Sequence, residues 1–177
     1  MNTTKWALDP THSEINFKIK HMMISNVTGS FTNFNVTAET DGDNFANSNV
    51  SFTTDVNSIN TNNEQRDGHL KSGDFFDTAN YPTITFEGTK FEKASEEEYE
   101  LHGNLTIKNV TKAIKLKADF GGIAKDPYGN IKAGFTLDGK INRKDFGLTW
   151  NAATEAGGLL VGEDLKIQAE IQLVKQV

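Results

Sequence analysis

Along most of the chain, apolar and polar residues alternate with period two, the signature of strands that bury one face. Ile15, Phe17 and Ile19 share a face, while Glu14, Asn16, Lys18 and Lys20 take the other. Val50, Phe52, Thr54 and Val56 make a second stripe, and Tyr99, Leu101, Gly103, Leu105 and Ile107 a third. Three more follow: Ile114–Phe120, Ile131–Ile141 and Leu165–Leu173. Shorter strands fit Lys5–Asp9 and Thr83–Phe91, and the parity change between Phe31 and Phe34 predicts a bulge or sharp bend there. Turn residues separate the runs at Asp41-Gly42-Asp43, Asn109-Val110-Thr111 and Asp126–Asn130.

Two segments break the alternation. Residues 62–73 carry capping candidates Asn62 and Asn63 before Glu-Gln-Arg-Asp, which predicts a short helix that Gly68 would keep from growing long. Residues 144–162 are rich in Gly and Ala and predict a loop with a short turn or helix. The remaining eight or nine amphipathic strands, antiparallel by their short connections, each have one face to hide. A closed barrel achieves this and removes exposed edges as well. Gly103 and Gly139 fall at inward positions, where a sheet coils tightly or leaves interior room. The expected fold is all-β, an antiparallel lipocalin-like β-barrel in a single domain spanning residues 1–177.

Composition narrows the function. Only 36% of the 177 residues are hydrophobic, yet 12 are Phe and none is Cys. Without Cys there is no disulfide framework, thiolate metal site or Cys nucleophile. The net charge of -6 and the absence of a basic patch argue against nucleic acid. No apolar run reaches the roughly 18 residues of a membrane span. His12-Ser13-Glu14 contains an H-x-E triplet but lacks the Cys half of a zinc deaminase motif. His12, His21, His69 and His102 are far apart in sequence, no G-x-S-x-G elbow occurs, and Asp41–Asn44 lacks calcium-loop spacing. No catalytic residue, metal ligand or cofactor is therefore assigned. The chain shows no signal peptide, so the expected location is cytoplasmic, or periplasmic or secreted if a native leader has been removed.

The segment of greatest chemical interest has Arg66, Asp67 and His69 just before Phe75-Phe76-Asp77. A charged cluster beside paired aromatics suits the closure of a barrel end. Two tasks fit it: Arg66 and His69 clamping a ligand head group, or an Arg66–Asp ion pair pinning the helix with Phe75 and Phe76 as plug. Arg143, in Asn142–Gly147, carries the same ambiguity.

The chain resembles the YceI-like family, small lipocalin-like barrels described as polyisoprenoid-binding. The resemblance rests on Trp6–Ser13, Phe17, His21, Gly29, Phe31, Phe34, Ser58–Thr61, Arg66–Leu70, Asp74–Asp77, Pro82, Gly103–Ile107 and Asn142–Gly147, and it runs over essentially the whole length. It implies an elongated apolar cavity holding a long amphiphile, such as a polyisoprenoid, an isoprenoid quinone or a fatty acyl chain or amide, and no catalysis. The expected lining is Phe17, Ile19, Phe31, Phe52, Phe75, Phe76, Phe86, Leu105, Ile107, Phe135, Leu137, Phe146 and Trp150. Its mouth is expected at His21, Arg66, His69 and Arg143, where any selectivity should sit, because an apolar tunnel discriminates poorly between similar tails. The expected role is lipid storage or transport, with a homodimer compatible. The alternative is a stress-related structural barrel filled by its own side chains. An enzyme using a convergent His/Asp site is a third and weaker reading.

Overall fold

The computed structural model describes residues 3–152 and 160–176. Its strands are β1 (Thr3–Leu8), β2 (Glu14–His21), β3 (Ser25–Phe31), β4 (Phe34–Asp41), β5 (Asn44–Asp55), β6 (Ile59–Asn60), β7 (Thr83–Lys93), β8 (Glu98–Ile107), β9 (Val110–Lys125), β10 (Ile131–Asn142) and β11 (Val161–Lys175), with one α-helix, α1 (Glu64–Lys71). All pairings are antiparallel, and β1 closes the sheet on β11. The result is a closed antiparallel barrel of eight staves, the lipocalin-like architecture expected from the stripes.

Eleven strands make eight staves because three staves are broken. β1 and β2 lie end to end along the same edge of β11, β1 against Leu173–Lys175 and β2 against Val161–Glu170. β3 and β4 likewise form one stave, interrupted at Thr32 and Asn33, where the change of parity predicted a bend. β6 continues β5 past a 3₁₀ turn at Val56–Ser58. Each break redirects the chain without flipping the apolar face, so both halves of a stave still feed the interior.

The break between β1 and β2 is built by Asp9 and Pro10. Pro10 opens a 3₁₀ turn, and the Asp9 carboxylate caps it by accepting from the Thr11 backbone N–H at 3.2 Å and its hydroxyl at 2.9 Å. The same carboxylate accepts from Lys132 Nζ on β10 at 2.5 Å and contacts His12 Nδ1 at 2.7 Å. The Lys132 hydrogen bond, helped by His12 and Thr11, holds the Asp9 carboxyl well below the ordinary aspartate range against an opposing burial effect. A depressed carboxyl stabilises the fold above its unfolded pKa of about 3.9 and loses that contribution as pH falls through the folded value. We expect Asp9→Asn to cost about 1–2 kcal/mol near neutral pH. In urea titrations from pH 7 down to pH 2, its gap from wild type should narrow steadily below about pH 4. A gap independent of pH would remove Asp9 as its cause.

The turns differ in detail from the expectation. Between β8 and β9 the turn is Lys108–Asn109, both at positive φ, and not Asn109–Thr111. Val110 and Thr111 are β-branched and already pair with Ile107 and Thr106. α1 starts after Asn63, whose side chain caps the Arg66 N–H at 3.1 Å, and it ends at Lys71, inside the predicted 62–73. Within 144–162, a 3₁₀ turn runs from Arg143 to Phe146 and stops at Gly147 (φ 78°). β11 begins at Val161, and residues 153–159 lie outside the described part of the chain.

Gly103 and Gly139 do face inward, but neighbouring side chains fill the room they leave. A Cβ on Gly103 would stand 2.3 Å from Phe86 Cζ, and one on Gly139 would stand 2.1 Å from a methyl of Leu116. Gly29 accepts the ring of Phe17 in the same way. Gly29 and Gly103 make room for inward rings and Gly139 for Leu116, so a narrow barrel can carry many bulky side chains.

Candidate functional site

The axis of the barrel is closed at one end by aromatic rings. Trp6, Phe45, Phe120 and Phe135 pack in sequence with centroid separations of 5.0–5.6 Å, and Phe91 stacks on Tyr99 at 4.7 Å. Trp6 is fully buried, and its indole N–H donates to Thr40 Oγ1 at 2.9 Å. The pattern of the stripes missed Phe45, which stands beside a turn where alternation is too short to read.

Above this plug lies an apolar cavity in two compartments. The inner one, about 120 Å³, is bounded by side chains that include Phe45, Phe86, Phe135 and Leu137. The outer one, about 260 Å³, is bounded by side chains that include Phe17, Ile19, Phe31 and Ile107. Ile15, Phe52, Leu105 and Ile167 border both, so they form the waist between them. Of the thirteen residues expected at the lining, twelve border one compartment or both. Phe146 does not. It is 1% exposed and sits in the 3₁₀ turn after β10, where it packs into the wall. Its sequence neighbours Lys144, Asp145 and Gly147 gave no sign of that, because a one-turn element has no period.

The outer compartment ends among His21, Arg66, His69 and Arg143, all four residues expected at a mouth. α1 lies across this end and, with the residues after it, brings Phe75 and Phe76 to the cavity. His69 stands edge-on to Trp150 at 4.7 Å and to Phe75 at 5.1 Å, while its Nε2 meets Asp74 Oδ2 at 2.8 Å. Phe75 in turn packs on Trp150 at 5.3 Å. Asp74 thus orients the imidazole within an aromatic frame, a partner the sequence placed nearby but did not single out.

Neither arginine is held by the aspartate ion pair that the sequence offered. Arg66 makes no ion pair with Asp67. Its Nε donates to Thr61 Oγ1 at 2.9 Å and its Nη2 to the Thr61 carbonyl at 2.7 Å, while Asp67 accepts from the Thr61 N–H at 2.9 Å. Thr61, 3% exposed, therefore pins both side chains and fixes α1 on the barrel end. Threonine supplies both an acceptor and a donor, so it can serve a cation and an anion at once. Arg143 is 2% exposed and turned into a fan of main-chain carbonyls. It donates from Nε to Gly162 at 2.7 Å, from Nη1 to Leu148 at 2.5 Å and Trp150 at 2.9 Å, and from Nη2 to Val161 at 3.3 Å. Four of its five N–H donors are thus engaged. Burial pushes its pKa down while Glu163 opposes the shift, but a guanidinium remains charged. Its engaged donors tie Leu148 and Trp150 to the start of β11 at Val161 and Gly162, leaving little hydrogen-bonding capacity for a ligand.

Elsewhere, His102 meets Glu92 and Glu100 on the outer wall of β7 and β8, with Nε2 3.5 Å from Glu100 Oε1. Lys90 already pairs with Glu92 there. Among the described residues, no helix is long and apolar enough to cross a membrane.

The sequence from Trp6 to Leu173 matches the YceI-like domain model. The chain belongs to the YceI-like family. It is 42% identical to the UPF0312 protein SA2479 of Staphylococcus aureus over 170 residues, 96% of each chain. Among solved structures, the YceI protein of Campylobacter jejuni is 36% identical with a TM-score of 0.77, covering 96% of this chain and 97% of that one. BcnA of Burkholderia cenocepacia shares the fold at 20% identity, with a TM-score of 0.81 and 93% and 98% coverage. A polyisoprenoid binding domain from Saccharophagus degradans does so at 17% identity, with a TM-score of 0.68 and 97% and 98% coverage. The YceI-like barrel is thus common to chains that share only a fifth of their residues with this one.

Proposed function

We propose that this YceI-like barrel binds a long-chain amphiphile in its interior and acts as a non-enzymatic carrier or store for it. The observation that carries the reading is the pair of adjoining compartments, which share Ile15, Phe52, Leu105 and Ile167 in their linings and of which the inner is bounded by apolar and aromatic side chains. A tail entering such a space gains about 0.8 kcal/mol per methylene buried, without directional contacts. His21, Arg66 and His69 at the outer end suit a polar head group. A polyisoprenoid heads the list of candidates, on the strength of the family and of the ligand class in the name of the Saccharophagus neighbour; an isoprenoid quinone and a fatty acyl chain or amide follow. The space left in both compartments speaks against a self-filled structural barrel, whose own side chains would occupy it.

Native mass spectrometry of the purified chain, followed by organic extraction, tests this reading. We expect a co-purified long-chain species that extraction removes and an isoprenoid or acyl probe replaces. Preparations that stay empty and refuse every such probe would sink the proposal in favour of the structural alternative.

A further inference from the structure

The hairpin that joins β2 to β3 is unusual for a surface turn. Its tip is Met22-Met23-Ile24, with 43%, 62% and 80% of each residue exposed. Only two other large apolar residues among the described ones, Ile123 and Tyr128, stand out as exposed. Met22 and Met23 both have positive φ, 53° and 61°, and the Ile24 N–H donates to the His21 carbonyl at 3.2 Å. That geometry favours Asn and Gly at its two centres, and methionine there carries backbone strain for no gain in packing. The tip also borders the cavity: His21 and Lys20 reach its lining, and the Met22 N–H donates at 2.8 Å to the carbonyl of Leu160, another lining residue.

Beneath the tip, strand pairing assembles on the outer face of the same wall a basic patch that the sequence did not reveal, because its lysines come from three distant strands. Lys18 on β2 pairs across to Lys166 on β11, which pairs across to Lys140 on β10, and Lys20 lies one outward position closer to the tip. Lys18, Lys20, Lys140 and Lys166 are exposed, and Asp164, 3.6 Å from Lys140, pairs with one of them. Like charges facing one another across strands weaken a sheet, so the row is costly to the fold alone. Acidic turns lie at the opposite end, at Asp41–Asn44, Glu96–Glu98 and Asp126, while Glu64, Asp67, Asp74 and Asp77 stand on and after α1 across the mouth from the lysine row. A chain of net charge -6 therefore presents a local row of lysines and an apolar tip on one side of its cavity mouth, where Glu163 and Asp164 are paired with Lys144 and Lys140.

We infer that the Met22–Ile24 tip and the lysine row form a docking surface for an anionic lipid bilayer. The three apolar side chains enter the interface and the lysines meet the head groups, so the mouth faces the membrane. Cargo would then pass between bilayer and cavity without exposing its tail to water. The inference rests on the amphiphile-binding reading, but docking itself is measured on empty protein and empty vesicles. A failed docking test thus leaves cavity occupancy standing, and a failed occupancy test leaves docking to be judged alone.

The test is flotation of the purified full chain with phosphatidylcholine vesicles, with and without phosphatidylglycerol. Wild type is expected to float with the phosphatidylglycerol vesicles and only weakly with the neutral ones. The double variant Met22→Asn/Met23→Gly fits the turn better, so it should fold with unchanged or raised Tm while its partitioning drops by roughly tenfold or more. Lys18→Glu/Lys20→Glu/Lys166→Glu should bind both vesicle types as weakly as wild type binds the neutral ones, with an unchanged circular dichroism spectrum. Wild type that ignores anionic vesicles, or a tip variant that floats as well as wild type, would overturn the inference. So would a concentration-dependent dimer that the tip variant abolishes in the absence of vesicle binding, since the tip would then be a self-association surface.

Discussion

Arg143→Met should lower the unfolding free energy by about 3–5 kcal/mol, the largest stability loss expected from a single charged residue in this barrel. The carbonyls of Gly162, Leu148, Trp150 and Val161 all turn toward one buried guanidinium. Methionine of similar length fills the space but donates nothing. Each buried carbonyl left without a donor costs about 1–3 kcal/mol, and relaxation recovers part of it. Val161 is partly protected, because its oxygen also accepts from Asn151 Nδ2 at 2.8 Å. Arg143→Lys keeps the charge but replaces a planar fork with a single ammonium, so it should recover only part of the loss. Urea unfolding monitored by circular dichroism measures both variants; should Met fail to fold at all, the Lys variant still reports the trend. Equal midpoints for wild type and both variants would show that the carbonyl fan is satisfied without Arg143.

The second large effect is on ligand binding. Ile167→Trp should lower affinity for a long-tailed probe by roughly a hundredfold while sparing a short one. Ile167 borders both compartments at the waist, so an indole there blocks the 120 Å³ inner space and leaves the 260 Å³ outer space reachable. Excluding four methylenes from burial costs ~3 kcal/mol, which sets the scale of the loss. Ile15→Trp closes the same waist from β2 and serves where Ile167→Trp is overpacked. Titration with acyl or isoprenoid probes of graded length reads the result. Loss that is uniform over all lengths, or no loss at all, would place the tail elsewhere.

These two residues also show what alternation can and cannot reveal. Ile167 is legible at once: it sits on the β11 stripe with Leu165 and Ala169, and a period of two fixes the face it takes. The same logic put Phe17, Ile19, Phe52, Phe86, Leu105, Ile107, Phe135 and Leu137 on inward faces, and all eight border the cavity; Phe75, Phe76, Phe146 and Trp150 lie in segments with no period, and of these Phe146 does not border it. Alternation passed over Phe45, beside the β4–β5 turn, which became part of the plug. Arg143 and Arg66 mark a different limit. Their positions suggested a mouth, and both border the outer compartment, but their partners are a threonine and a set of main-chain carbonyls. No spacing in the sequence announces a carbonyl, since every residue carries one.

By itself, then, the sequence determined the all-β class, the inward face of nearly every strand, the bend at Phe31–Phe34 and the capped helix after Asn63. All of these follow from interactions between residues close in sequence: pleat, turn and cap. The tertiary structure alone decided that eleven strands close into eight staves, that Phe86 and Leu116 fill the room at Gly103 and Gly139, and that a waist divides the cavity. It also decided which groups the two arginines hold. Those features depend on contacts between distant segments, where ring packing and the supply of backbone acceptors choose among partners that the local pattern leaves equivalent.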